Sequence, residues 1–143
     1  MGKTILVTGA GGYIGRHVVR ALLDRGLGVT ALDLRLDGVD ERAQRLQLDL
    51  FSGDADLFDQ MGRPDVVLHM AWRDGFKHSS SAHIDDLAKH YHLIENLYAA
   101  GLKQLAVMGT MHEVGYWEGA IQEDTPCSPA SLYGIAKNAL RGW

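Results

Sequence analysis

The segment Thr4-Ile5-Leu6-Val7-Thr8-Gly9-Ala10-Gly11-Gly12-Tyr13-Ile14-Gly15 constrains the fold more than any other part of the chain. Ile5, Leu6 and Val7 form an apolar run that reads as a buried strand. After the glycines, Ile14, Val18, Val19, Leu22 and Leu23 recur at helical spacing. Glycines at positions 9, 12 and 15 let the backbone turn tightly, let a phosphate approach with no Cβ in its way, and let the helix lie close on the strand. The helix N-terminus then offers unpaired N–H groups and about half a unit of positive charge to an anion. A dinucleotide diphosphate fits such a turn, with Tyr13 and Ile14 in the first helical turn beside it. Gly26 and Gly28 close the helix, and Val29-Thr30-Ala31-Leu32 follow as a second strand.

That second strand ends in Asp33-Leu34. An acidic side chain about 20 residues beyond the glycine turn accepts hydrogen bonds from the adenosine ribose hydroxyls. A 2′-phosphate would meet the Asp33 carboxylate at close range, so NAD is favoured over NADP. Arg35, two residues on, is the one group that could pair a 2′-phosphate.

The rest of the chain alternates strands and helices, which predicts an α/β fold: a Rossmann-type doubly wound parallel sheet with strand order 3-2-1-4-5. A polar loop from Arg35 to Arg45 leads to a short strand, Leu46-Gln47-Leu48. Asp54 to Met61 reads as a short helix, and Val66 to Met70 as a buried strand running into Ala71-Trp72. Ser79-Ser80-Ser81 can cap a helix whose apolar face is Ile84, Leu87, Tyr91, Ile94 and Leu97, ended by Gly101. Gln104 to Met108 is the fifth strand, and Ser131 opens a last helix.

Composition narrows the function classes. The 143 residues, 46% apolar and 22% charged, suit one globular domain spanning 1–143. A net charge of −4 without any lysine or arginine run argues against nucleic acid as the partner. A lone cysteine, Cys127, allows no internal disulfide and suits a reducing cytoplasm. No apolar run approaches membrane-spanning length, the first strand begins too early for a signal peptide, and Leu6 breaks a myristoylation motif. A soluble, cytoplasmic chain is expected.

A second cluster carries chemistry. Tyr133 and Lys137 are four apart in Ser131-Leu132-Tyr133-Gly134-Ile135-Ala136-Lys137 and so share one helix face. A tyrosine serves as acid or base near neutrality only if its pKa falls well below about 10. A fall of three units needs roughly 4 kcal/mol. An ammonium about 5 Å away supplies roughly 3 kcal/mol at an effective dielectric of 20.

Taken together these motifs resemble the N-terminal part of an extended short-chain dehydrogenase/reductase, the group containing NAD-dependent nucleotide-sugar epimerases and dehydratases. The resemblance rests on Thr8 to Gly15, on Asp33 and on Tyr133 with Lys137. It extends to Asp49-Leu50, matching the pair that contacts adenine in the family. His69-Met70-Ala71-Trp72 matches the segment that lies under the nicotinamide ribose. It implies that Tyr133 removes a proton from a sugar hydroxyl as hydride leaves for NAD. Thr110, five residues before Gly115, would bond that hydroxyl, and Lys137 would also bind the nicotinamide ribose. It also implies a nucleotide-sugar substrate and a homodimer built from the helices at Ile84–Leu97 and after Ser131.

Departures narrow the subclass. Where dehydratases of the family carry an Asp-Glu pair after the catalytic threonine, this chain has Met111-His112, with Glu113 one place late. An epimerase fits better, or a reductase of a keto-sugar; a non-catalytic dinucleotide-binding module is the competing class. Asp86 stands where the family often has asparagine. Family members are about twice as long, so the chain is expected to keep much of the cofactor cradle, lack the substrate lobe, and bind NAD weakly with little turnover. His78, His83, His90, His92 and His112 lack zinc-helix spacing and are expected on the surface, with no metal bound.

Overall fold

The structure, a computed structural model, describes residues 2–142. It contains β1 (Thr4–Thr8), α1 (Tyr13–Asp24), β2 (Gly28–Leu32), β3 (Gln44–Leu46), α2 (Leu57–Gln60), β4 (Val66–His69), α3 (Ala82–Asp85), α4 (Leu87–Ala99), β5 (Gln104–Val107) and α5 (Leu132–Arg141), with a single 3₁₀ turn at Met111–Glu113. The contacts divide the chain into two compact units. One comprises the residues through Ala71 together with Leu93–Met108; the other comprises Trp72–His92 and the residues from Gly109 onward.

The first unit is a five-stranded, all-parallel sheet in the order β3-β2-β1-β4-β5. β1 lies at its centre, with Leu6 opposite Thr30 of β2 and Val67 of β4. Alternation along the strands divides the apolar residues between the two faces, as the period of a strand requires. Leu6, Leu32 and Val67 join Leu57, Phe58, Leu93 and Leu97 in one cluster, while Val7, Val29 and Ala31 join Val19 in the other. Glycine is required where the turn after β1 meets β4. Gly9 has φ +67°, and a Cβ there would sit 2.7 Å from the Ala71 nitrogen.

In the second unit α5 packs against α3 and the 3₁₀ turn. Ser131 caps α5, its hydroxyl accepting from the Gly134 N–H at 3.1 Å. A Cβ on Gly134 would overlap the His112 carbonyl oxygen, so α5 and the 3₁₀ turn approach more closely there than any other residue allows.

Three expectations are corrected. The third strand is Gln44–Leu46, ahead of the expected Leu46-Gln47-Leu48, because Thr30 to Leu32 of β2 pair with 44–46. The helix between Asp54 and Met61 shrinks to Leu57–Gln60, with Leu57 and Phe58 buried. The helix expected through Ile84 and Leu97 is two helices meeting at Asp86, and its buried residues are Ala82, His83, Asp86, His90, Leu93 and Leu97, whereas Ile84 is exposed. The expected apolar face is thus rotated, because hydrogen-bond and ion-pair partners make histidine and aspartate acceptable inside.

Candidate active site

The first unit holds the dinucleotide motif at the carboxyl ends of β1, β2 and β4. The strand order reverses between β1 and β4, which is where open α/β sheets bind ligands. No side chain caps α1, whose first turn contains no acidic residue, so no side-chain acceptor from its own cap occupies its leading N–H groups. A Cβ on Gly15 would overlap the Gly9 carbonyl, while one on Gly12 would meet only that oxygen, at 3.3 Å, with open space beyond. Tyr13 and Ile14 are exposed in the first turn of α1. A diphosphate fits a donor set of this kind.

Asp33 closes the turn from β2. Its Oδ2 accepts from the Gly11 N–H at 2.9 Å and its Oδ1 from the Leu34 N–H at 2.7 Å. A carboxylate has about four lone-pair sites, so two remain for hydroxyl donors. Leu34 is exposed beside it. Asp49 is exposed, with Oδ1 accepting from the Phe51 N–H, whereas the Leu50 side chain is buried in the sheet's core. Met70 and Ala71 pack against opposite core clusters, and their N–H groups both donate to Thr8 Oγ1, at 3.0 and 3.1 Å. With both hydroxyl lone pairs filled, Thr8 donates its own proton to His69 Nδ1 at 2.8 Å.

The second unit gathers Trp72, Tyr133 and Lys137 with four histidines. Lys137 Nζ lies 4.1 Å from the Trp72 ring centroid. His90 stacks on the same indole at 4.4 Å and 13°, and the Tyr133 ring meets it edge-on at 6.2 Å and 65°. His78 stacks on Tyr133 at 5.3 Å, His112 lies 5.4 Å from that ring, and the two imidazoles are 4.1 Å apart. Beside them opens a cavity of about 370 Å³ lined by His78, Met111, His112, Tyr116 and Ser131 among others.

Burial sets the charges here. Lys137 is 4% exposed. Desolvation pulls its ammonium down to about 8, against the pull of the Glu113 carboxylate. His90 is held near 4 by burial, reinforced by the positive charge of Lys137, so it is neutral at pH 7. Burial would raise Asp86, but hydrogen bonds from Lys89 and Arg73, each 2.8 Å, hold its carboxyl below the usual range. Thr110 starts the 3₁₀ turn. Its Oγ1 accepts from the His112 N–H at 3.3 Å and its N–H donates to Glu113 Oε1 at 2.9 Å.

The chain's surface histidines are fewer than the sequence suggests. His69, His83 and His90 are buried and His78 and His112 half-buried, while His17 and His92 are exposed. The periodicity 83, 86, 90, 93 and 97 carries the signal, but only if histidine and aspartate are admitted to the buried set. Cys127 is exposed, with Arg141 Nη1 3.5 Å from its sulfur, a cationic neighbour the sequence does not reveal.

Sheet order, glycine turn and acidic residue after β2 define a Rossmann-type dinucleotide-binding chain. The profile of the NAD dependent epimerase/dehydratase family matches residues 5–141, and the chain belongs to that family. It is 43% identical over 143 residues to a dTDP-6-deoxy-L-talose 4-dehydrogenase (NAD(+)) from Aggregatibacter actinomycetemcomitans, covering 96% of this chain and 52% of that protein. It is 32% identical to a UDP-glucose 4-epimerase from Azospirillum brasilense, covering 93% of this chain and 41% of that protein. The solved structure of MoeE5 in complex with UDP-glucose and NAD matches 97% of this chain and 47% of its own, with a TM-score of 0.80 and 28% identity. The chain spans about half the length of the curated relatives it matches. Among the described residues no helix is long and apolar enough to cross a membrane.

Proposed function

We propose that this chain carries the cofactor-binding and proton-transfer residues of an NAD-dependent oxidoreductase acting on a hydroxyl of a nucleotide-sugar. In the first unit Gly9, Gly12, Tyr13, Ile14 and Gly15 would hold the diphosphate and Asp33 the adenosine ribose, with Leu34, Asp49, Leu50, Met70 and Ala71 around the cofactor. NAD, when bound, accepts or returns a hydride. In the second unit Tyr133 moves the hydroxyl proton, Lys137 supplies the positive charge that the phenolate needs, and Thr110 donates a hydrogen bond to the substrate oxygen. The observation that carries this reading is a deeply buried lysine four residues from Tyr133 on α5. An ammonium is not buried at that depth for solubility.

Higher identity to a 4-dehydrogenase than to a 4-epimerase favours net oxidation or reduction at the sugar's C4 over inversion. The capping of the 3₁₀ turn favours the same outcome over dehydration, because the Glu113 carboxylate is committed to the Thr110 N–H. The test follows absorbance of NADH at 340 nm with dTDP- and UDP-hexoses and separates the sugar products. Stoichiometric NADH with a keto-sugar supports a dehydrogenase. An isomer formed without NADH supports an epimerase. NAD binding that survives Tyr133→Phe, without turnover in either protein, supports the binding module. Titration with NADP binding as tightly as NAD would remove the role given to Asp33.

A further inference from the structure

Trp72 stands at the centre of the second unit's cluster with no chemistry of its own. An ammonium buried as deeply as Lys137 is costly unless something compensates it. The indole face offers that compensation at 4.1 Å, within the range where a ring quadrupole attracts a cation. The indole is itself fixed. Its Nε1–H, which can only donate, reaches His83 Nδ1 at 2.9 Å. His83 must therefore carry its proton on Nε2, which donates to the Lys77 carbonyl at 2.9 Å. One tautomer satisfies both bonds, and His83 is 1% exposed, so the ring is tied to backbone through a locked imidazole. His90 adds a parallel stack.

We propose that Trp72 is a positioning residue: its indole face holds the Lys137 ammonium, next to Tyr133, and the His83 hydrogen bond and His90 stack hold the indole. The inference rests on the roles proposed above for Tyr133 and Lys137. It assigns the ring to the lysine, and so differs from a contact with the cofactor. The chemistry explains why a bulky aromatic sits at this position. A small residue would remove the ring face that lies 4.1 Å from the ammonium, and an aliphatic one would keep the burial without the ring's attraction.

The test is made on the chain as it stands, by ¹H–¹³C correlation of the Lys137 ε-methylene, assigned from its loss in Lys137→Arg. A methylene over an indole face resonates upfield of surface lysines. The upfield position should vanish in Trp72→Leu and persist, reduced, in Trp72→Phe. Acylation of the Lys137 amine should quicken about fivefold in Trp72→Leu and hold its rate within about twofold in Trp72→Phe. Where Trp72→Leu does not fold, His83→Ala, which removes the indole's hydrogen-bond acceptor and leaves Trp72 and Lys137 themselves unaltered, should cause the same loss of shift. A Lys137 methylene that is not upfield in the unaltered chain, or that ignores both variants, overturns the proposal. NAD affinity read in parallel separates the two readings. If Lys137→Met leaves NAD binding unchanged while the unaltered chain shows the upfield shift, the role proposed for the lysine toward the cofactor fails and its placement by Trp72 stands.

Discussion

Thr110 and Glu113 are tied to each other: the Thr110 backbone N–H donates to Glu113 Oε1 at 2.9 Å, while Thr110 Oγ1 accepts from the His112 N–H within the same turn. This capping-box arrangement commits the glutamate to holding the 3₁₀ turn. The carboxylate is 4% exposed and has Arg141 3.6 Å away, so it is also a fixed negative charge within the unit. Thr110 keeps its own hydroxyl proton, because in the bond with the His112 N–H its oxygen accepts.

Glu113→Gln separates these two tasks. The amide oxygen still accepts from Thr110, so the turn persists, but the negative charge that raises the Lys137 ammonium is gone. The Lys137 titration should move below about 8, read from the ¹³Cε shift against pH. An unmoved or rising midpoint would mean that the carboxylate's charge does not reach the lysine.

His90 gives the fold an acid limit. Its folded-state value lies near 4, below the ordinary 6.5, first because it is buried and second because Lys137 is cationic. Between pH 6.5 and 4 the unfolded chain binds a proton that the folded chain does not, so stability falls as pH falls through that window and is unaffected above it. The full loss is roughly 3 kcal/mol. His90→Phe keeps an aromatic ring against Trp72 and cannot titrate, so urea midpoints measured from pH 7 to 4 should lose most of that slope. The Asp40 carboxyl, drawn down to about 2 by its hydrogen bonds with Arg42, titrates below this window.

The same residue shows where reading from sequence works and where it stops. The sheet was legible because β1, β2 and β4 carry apolar runs and the glycines of the first turn sit where only glycine fits, at Gly9 and Gly15 above all. The position of Asp33 was legible because it directly follows the apolar run of β2. His83, Asp86 and His90 were not. Each is polar, and each is buried only because a partner far along the chain or beside it is present: Trp72 for His83 and His90, Arg73 and Lys89 for Asp86. Apolar periodicity scores such residues as surface, so Ile84 was placed inside and the histidines out. Tyr133 and Lys137 could be paired from spacing, but the indole beneath the lysine could not.

Thr8 ties the ends of β1 and β4 together through one oxygen. Thr8→Val keeps the shape and removes the hydroxyl, leaving the Met70 and Ala71 N–H groups and His69 Nδ1 without that partner. Unsatisfied buried polar groups cost about 1–3 kcal/mol each before relaxation, so a loss of about 2–4 kcal/mol is expected in chemical denaturation. A loss under about 0.5 kcal/mol, the range of a neutral surface change, would show that water replaces the hydroxyl at little cost.

Gly12 and Gly15 should both lose NAD binding on the same substitution but differ in what it costs the fold. A Cβ on Gly15 would overlap the Gly9 carbonyl oxygen and crowd the Ala10 Cα at 2.9 Å, both backbone atoms of the turn itself, which cannot yield without opening it. Gly15→Ala should therefore destabilise the chain, by about 1–3 kcal/mol for forced overpacking, and lose NAD binding with it. At Gly12 the backbone has φ −71° and ψ 171°, which any residue adopts, and an added Cβ meets only the Gly9 oxygen at 3.3 Å. Gly12→Ala asks that oxygen to give by only a few tenths of an ångström, so it should cost less stability than Gly15→Ala, yet its methyl would stand before the uncapped N-terminus of α1, in the space a phosphate must enter. Calorimetric titration with NAD alongside urea unfolding makes the comparison. Affinity falling at least tenfold in Gly12→Ala, with an unfolding midpoint that drops less than in Gly15→Ala, is the expected result. Equal NAD affinity in Gly12→Ala and the unaltered chain would mean that the diphosphate does not lie against this turn, and the cofactor residues assigned around it would have to be withdrawn.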